Sequence, residues 1–172
     1  GEQADLVRGL DPPRLEEDLL PVNDLQPLRP KSREDRHFDH VDTNGLTFDG
    51  QGRLVACQHG DRQVARWENG TWTPLATRYD GKRLNSPNDL VFDERGGFWF
   101  TCYGQTDNEI RRLGGLYYAR ADGSKITRWR SAQISPNGVA LAPDGRTVYM
   151  ADCMLGRLYA FDTHDRRLAN LK

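Results

Sequence analysis

An all-β fold is predicted by three observations in the 172-residue sequence. Apolar runs are only a few residues long and alternate with polar residues, the period of two that strands require. Gly-containing turns separate these runs and supply the positive φ that tight hairpins need. The whole pattern then recurs three times. The segments "NGLTFDGQGRLVAC" from Asn44, "NDLVFDERGGFWFTC" from Asn88 and "NGVALAPDGRTVYMADC" from Asn137 open 44 and 49 residues apart. Each begins with Asn followed by Gly or Asp, runs through an apolar strand, turns, and returns through a second strand ending near a cysteine. A third strand follows in each unit ("QVARW", "GLYYAR", "GRLYAFD"), and a fourth in the first two ("TWTPLA", "ITRWR"). Four antiparallel strands per unit of about 45 residues is the blade of a β-propeller. The chain is therefore expected to hold about three four-stranded blades, the third without its outer strand.

Taken in order, residues 1–43 are proline-rich and acidic and carry one aromatic residue, Phe38. So little apolar surface does not offset the entropy of ordering a segment, which is expected to be irregular. A short helix is expected at "PPRLEEDLL", where Pro12 or Pro13 suits the first turn and the acidic residues suit the positive helix end. The stretch "LQPLRPKSREDRHFDH" reads as an extended linker. Residues 44–172 are the propeller domain. Its third and fourth strands interleave apolar and polar positions, so one face packs on a neighbouring blade. The second repeat carries an insertion, "YGQTDNEIRRLGG", placed at a blade end where either a gating loop or a tolerated surface insertion fits.

Composition narrows the functional classes. The formal net charge is −1, and no run of Lys or Arg would neutralise a row of phosphates, so nucleic acid is not an expected partner. No apolar stretch approaches the roughly 20 residues of a membrane helix, and no membrane partner is expected. Cys57, Cys102 and Cys153 are far apart and lack zinc-ligand spacing, which predicts reduced thiols in a cytoplasmic compartment.

The recurring asparagine has two readings. Asn44, Asn88 and Asn137 hold the same position in three repeats, and a radial arrangement would aim them at a shared axis, where carboxamide oxygens suit a hard divalent ion. Asn-Gly and Asn-Asp are also ordinary turn pairs whose side chain bonds the local backbone.

The segments "TNGLTFDGQGRLVACQHGDRQVAR", "YDGKRLNSPNDLVFDERGGFWFT" and "SPNGVALAPDGRTVYMAD" together resemble the gluconolactonase family, the superfamily of senescence marker protein and regucalcin. The resemblance covers Thr43 to Leu168. It implies a six-bladed β-propeller with one divalent metal in its channel, commonly Ca²⁺, with Mg²⁺, Mn²⁺ or Zn²⁺ as alternatives. It also implies hydrolysis of sugar lactones and related esters, with a small lactone or ester as the partner. By the same resemblance Asn137 of "SPNG" and Asn88 of "SPND" match metal-site asparagines, and Asn44 and His59 of "CQHG" match substrate-binding positions of the channel. A turn histidine with a satisfied hydrogen bond is the other reading of His59. Asp152 of "MADC" matches a structural aspartate at a strand end.

The sequence departs from that pattern in specific places. Residues 1–43 contain no segment like the family's "EGPVW", whose glutamate ligates the metal, and the family's last ligand, an aspartate, falls beyond Lys172. Cys102 stands where the family has aspartate. Three readings follow. The first is a metal-dependent lactonase, present as a piece of a longer enzyme or as a homodimer in which two three-bladed copies complete six blades. The second is a propeller-type binding module without catalysis, and the third is a truncated product lacking the metal carboxylates.

Overall fold

The computed structural model describes residues 42–106 and 111–164, all in strands, turns and short connections. The helix and linker expected before residue 42 lie outside the described residues. The first sheet is a meander of β1 (Thr43–Phe48), β2 (Leu54–Gln58), β3 (Gln63–Glu68) and β4 (Thr71–Ala76), each paired with its chain neighbour. A two-stranded hairpin, β5 (Arg78–Tyr79) and β6 (Lys82–Arg83), follows. It turns on Asp80-Gly81, with φ of 51° and 73°, the paired positive values a two-residue hairpin demands. The second sheet is β7 (Pro87–Phe92), β8 (Phe98–Thr106), β9 (Arg111–Ala119) and β10 (Ile126–Gln133), again in chain order. The third holds β11 (Pro136–Leu141), β12 (Thr147–Asp152) and β13 (Arg157–Asp162). Two four-stranded blades and one of three strands are what the repeat pattern predicts.

The insertion of the second repeat is built differently from a loop. β8 and β9 run on past the blade proper, pairing Gly104 with Leu113 and Thr106 with Arg111, so the added residues lengthen a hairpin. Gly114 makes this close packing possible, because a Cβ there would strike the Cys102 carbonyl and approach Pro136 Cδ to 2.9 Å.

Two apolar cores lie between the three blades, and the strands of the middle blade feed both. Phe98, Phe100 and Cys102 of β8 pack with Val55, Cys57, Val64 and Leu75 of the first blade. Trp99, between them in sequence, points the opposite way and joins Val148, Met150 and Phe161 of the third blade. β9 divides in the same manner, with Tyr117 and Ala119 on the first side and Leu116 and Tyr118 on the other. This is the period-two alternation of a strand with both faces covered.

Cys57 and Cys102 are buried free thiols. Burial pushes Cys102 up to about 12, despite the opposing pull of the Asn85 backbone and Arg62, and drives Cys57 well above its ordinary value. Both are protonated hydrophobes and not nucleophiles.

Candidate functional site

The three asparagine pairs sit inside strands, one residue or two past the start of β1, β7 and β11. Each coincides with a register shift. Thr43 pairs with Gln58 but Leu46 with Ala56, Pro87 with Cys102 but Leu90 with Phe100, Pro136 with Asp152 but Val139 with Met150. In every blade the Asn and its successor therefore face a single residue of the next strand, the geometry of a β-bulge. A bulge twists the strand and re-aims its side chains, so the motif is neither a plain turn nor a regular strand.

The same register brings a second set of residues into line. The residue two before each Asn accepts, through its carbonyl, an N–H from the second strand of the same blade or from the residue just after that strand. These bonds are His59 to Asp42 at 2.6 Å, Tyr103 to Ser86 at 2.9 Å and Cys153 to Ser135 at 3.2 Å. His59, Tyr103 and Cys153 are thus equivalent positions, one per blade, at the asparagine end of the sheets. Ser86 holds a left-handed backbone, φ 60°, while only 4 % exposed, a conformation that costs a serine roughly 1 kcal/mol.

Among the sequence-predicted residues, Asn88 is buried at 5 % exposure and Asn137 is half-buried. The Asn137 side-chain N–H donates toward Cys153 Sγ at 3.7 Å, and the Tyr103 hydroxyl lies 4.0 Å from the same sulfur. The Ser135 hydroxyl, opposed by slight burial and helped by Asn137 and Tyr103, holds the Cys153 thiol below its ordinary value. Asn44 is exposed. His59 is half-buried, and its Nδ1 is buried without a hydrogen-bond partner, which differs from a turn histidine with a satisfied hydrogen bond.

Asp152 is fully buried and fully occupied. Its Oδ1 accepts from Ser135 Oγ at 2.6 Å and Leu155 N at 3.2 Å, and its Oδ2 from the N–H groups of Ile134 and Ser135, both at 3.2 Å. Burial works to raise this carboxyl, but these donors prevail and hold it below its ordinary value of 3.8. Its work is to tie the start of β11 to the end of β12, in keeping with a structural strand-end aspartate.

Sequence reasoning passed over Asp89 and Thr101. The Asp89 carboxylate accepts from Leu90 N on Oδ1 and, across the blade boundary, from Val139 N on Oδ2, each at 2.9 Å. The Thr101 hydroxyl meets Asp89 N at 3.2 Å and donates to the Asn137 carbonyl. The available signal was the alternation of the residue after Asn, which is Gly, Asp and Gly in the three repeats.

No group of three or more His, Cys, Asp or Glu side chains placed to hold a metal occurs among the described residues. Asn88 and Asn137 offer two neutral carboxamide oxygens, against the six to eight oxygens, carboxylates included, that Ca²⁺ takes. The described residues do not by themselves fit a divalent cation. A groove of about 430 Å³ lies at the other end of the inner strands, lined by Asp93, Arg95, Trp99, Tyr118, Trp129 and Arg146, and contains none of the asparagines.

Comparison with known proteins gives a consistent picture. The model of a family described as SMP-30/Gluconolactonase/LRE-like region matches residues 21–171. A gluconolactonase of Zymomonas mobilis is 29 % identical over 124 residues, covering 67 % of this chain and 35 % of the relative. A lactonase drp35 of Staphylococcus aureus is 31 % identical over 125 residues, covering 66 % and 36 %. Among solved structures, a gluconolactonase of Xanthomonas campestris superposes with a TM-score of 0.65 at 35 % identity, covering 76 % of this chain and 47 % of that one. A chain of a nidogen/laminin complex, at 17 % identity and a TM-score of 0.60, shares the fold. The chain spans about a third of the length of the curated relatives it matches and about half of the solved chains.

Proposed function

The chain belongs to the SMP-30/gluconolactonase/LRE-like family, and on that premise we propose that it forms part of a hydrolase of sugar lactones or related esters. The observation that carries the reading is the bulged asparagine at one register position of three adjoining inner strands, two of them within Ser-Pro-Asn. Carboxamides do not titrate between pH 2 and 12, so Asn88 and Asn137 neither take nor give a proton in the reaction. They accept hydrogen bonds from sugar hydroxyls and donate to a lactone carbonyl, where an N–H aimed at the developing oxyanion stabilises the tetrahedral intermediate. Burial of Asn88 strengthens such a bond by excluding water from it. The divalent ion that the sequence resemblance implies needs several carboxylates, and the described residues bring together no group of three or more acidic, His or Cys side chains to hold it.

Release of acid from glucono-δ-lactone by the full chain, with and without added Ca²⁺, tests this reading. Asn88→Ala and Asn137→Ala are expected each to lower kcat/KM by roughly a hundredfold, the usual cost of one oxyanion donor. Wild-type activity in both variants would sink the reading. Titration with Ca²⁺ alone is expected to saturate no tighter than about 10⁻³ M, because ligand charge sets affinity at such sites.

A further inference from the structure

We propose that Asp89 is the positioning residue of the asparagine site, locking the inner strands of the three blades to one another and thereby fixing Asn88 against Asn137. The inference rests on the lactonase reading for its catalytic consequence, while its structural content stands apart from that reading. The repeat itself points to it. Where the first and third repeats have Asn-Gly, the middle one has Asn-Asp, so a single carboxylate stands at a repeat position that is glycine in the other two.

Both neighbouring strands meet that carboxylate, one by close approach and the other by a hydrogen bond. On one side, a Cβ at Gly45 of β1 would lie 2.5 Å from Asp89 Oδ1, 2.6 Å from Asp89 Cα and 2.8 Å from the Asn88 carbonyl. Only glycine allows β1 to come this close. On the other side, Oδ2 accepts the Val139 N–H of β11 at 2.9 Å, two residues past Asn137. This approach does not depend on glycine at position 138, where a Cβ would stand at an ordinary 3.9 Å from Oδ2. Thr101, fully buried on β8, completes the circuit, its hydroxyl lying between Asp89 N and the Asn137 carbonyl. Asn88 and Asn137 are thus each flanked by a bond that ends on Asp89 or on Thr101.

The carboxylate is the group this geometry requires. Both of its oxygens accept N–H groups, whereas an amide of the same shape has one acceptor and one donor, and its NH₂ would face a backbone N–H. Asp89→Asn therefore keeps the volume and breaks the clasp. Displacement of catalytic groups by an ångström costs up to about a hundredfold in rate, so the kcat of lactone hydrolysis in Asp89→Asn is expected to fall roughly tenfold to a hundredfold with KM little changed.

The experiment compares four variants of the full chain by two readouts, lactone hydrolysis and the side-chain NH₂ resonances of Asn88 and Asn137 in a ¹⁵N-labelled sample. Tyr118→Phe serves as the control, because it removes the 2.8 Å bond to Asp93 at the opposite end of the same blade. Asp89→Asn is expected to move both amide signals, and Tyr118→Phe to leave them in place at a comparable loss of thermal stability. Thr101→Val is expected to behave as Asp89→Asn does, and Thr101→Ser, which restores the hydroxyl, to return the signals and the rate. If Asp89→Asn does not fold, the valine and serine pair decides. Amide signals at their wild-type positions in folded Asp89→Asn or in folded Thr101→Val overturn the proposal, whatever the activity. A wild-type chain inert toward lactone with amide signals that still follow Asp89 would overturn only the lactonase reading.

Discussion

β1 and β7 open with the same Asn-led run, carry the same bulge and pair in the same way with the strand that follows, yet their surroundings are opposite. β1 exposes Asn44, Leu46 at 57 % and Phe48 at 66 %, whereas β7 buries Asn88 at 5 % and Leu90 at 4 %. β7 has β1 on one side and β11 on the other, while β1 meets only β7 among the described inner strands. A repeat motif therefore sets local geometry, and the flanking blades decide whether that geometry becomes a site.

The largest effect that tests this contrast is on stability. Phe100→Ala removes a fully buried ring from the core between the first two blades and is expected to cost about 3–5 kcal/mol in urea denaturation. Phe48→Ala on the open side of β1 is expected to stay within about 0.5 kcal/mol. An equal loss in the two would mean that β1 is covered after all, and the contrast would break. Activity is the next measure. Asn44→Ala is expected to lose less lactone hydrolysis than the roughly hundredfold drop in Asn88→Ala, because an exposed amide keeps competing with water.

Asp152 supplies a third term in the contrast, since Gln58 holds its register position in the first blade. Asp152→Asn is expected to cost about 1–3 kcal/mol at neutral pH by leaving buried N–H groups unpaired. The folded carboxyl sits below its ordinary 3.8, so its stabilisation is complete above that pH and is lost as the pH falls through the folded value. The urea midpoints of wild type and variant should accordingly converge below about pH 3.8. The smallest effect is chemical. Iodoacetamide at pH 8 should label the exposed, lowered Cys153 and leave buried Cys57 and Cys102 untouched in the folded chain.

Much of the architecture was legible in the sequence because it is periodic. The two-residue alternation gave the strands, the Gly turns gave the hairpins, and the 44- and 49-residue spacing gave the blades, including the third blade of three strands. Asp80-Gly81 carried an equally clear turn signal, and the β5–β6 hairpin it makes was readable there but not drawn. The insertion was legible as extra length only, since whether residues prolong a ladder or leave it depends on pairing partners. The bulges were not legible, because a register shift involves two strands and leaves no mark on either alone. Asp89 was hidden for a related reason: its meaning lies in Gly45 and Val139, some 44 and 50 residues away.

The alternate facing of β8 carries a consequence for how the molecule comes apart. Phe98 and Phe100 belong to one core and Trp99 to the other, so displacing this one strand disrupts both cores at once. The three blades are for that reason expected to unfold as one cooperative unit and not as three stacked modules that fray in turn. Native-state hydrogen exchange should find the β8 amides opening only with the whole structure, at one common free energy, while those of β4 and β13 exchange through smaller openings. A cut between the first and second blades would split the first core between the two pieces and leave the second core whole in the larger one.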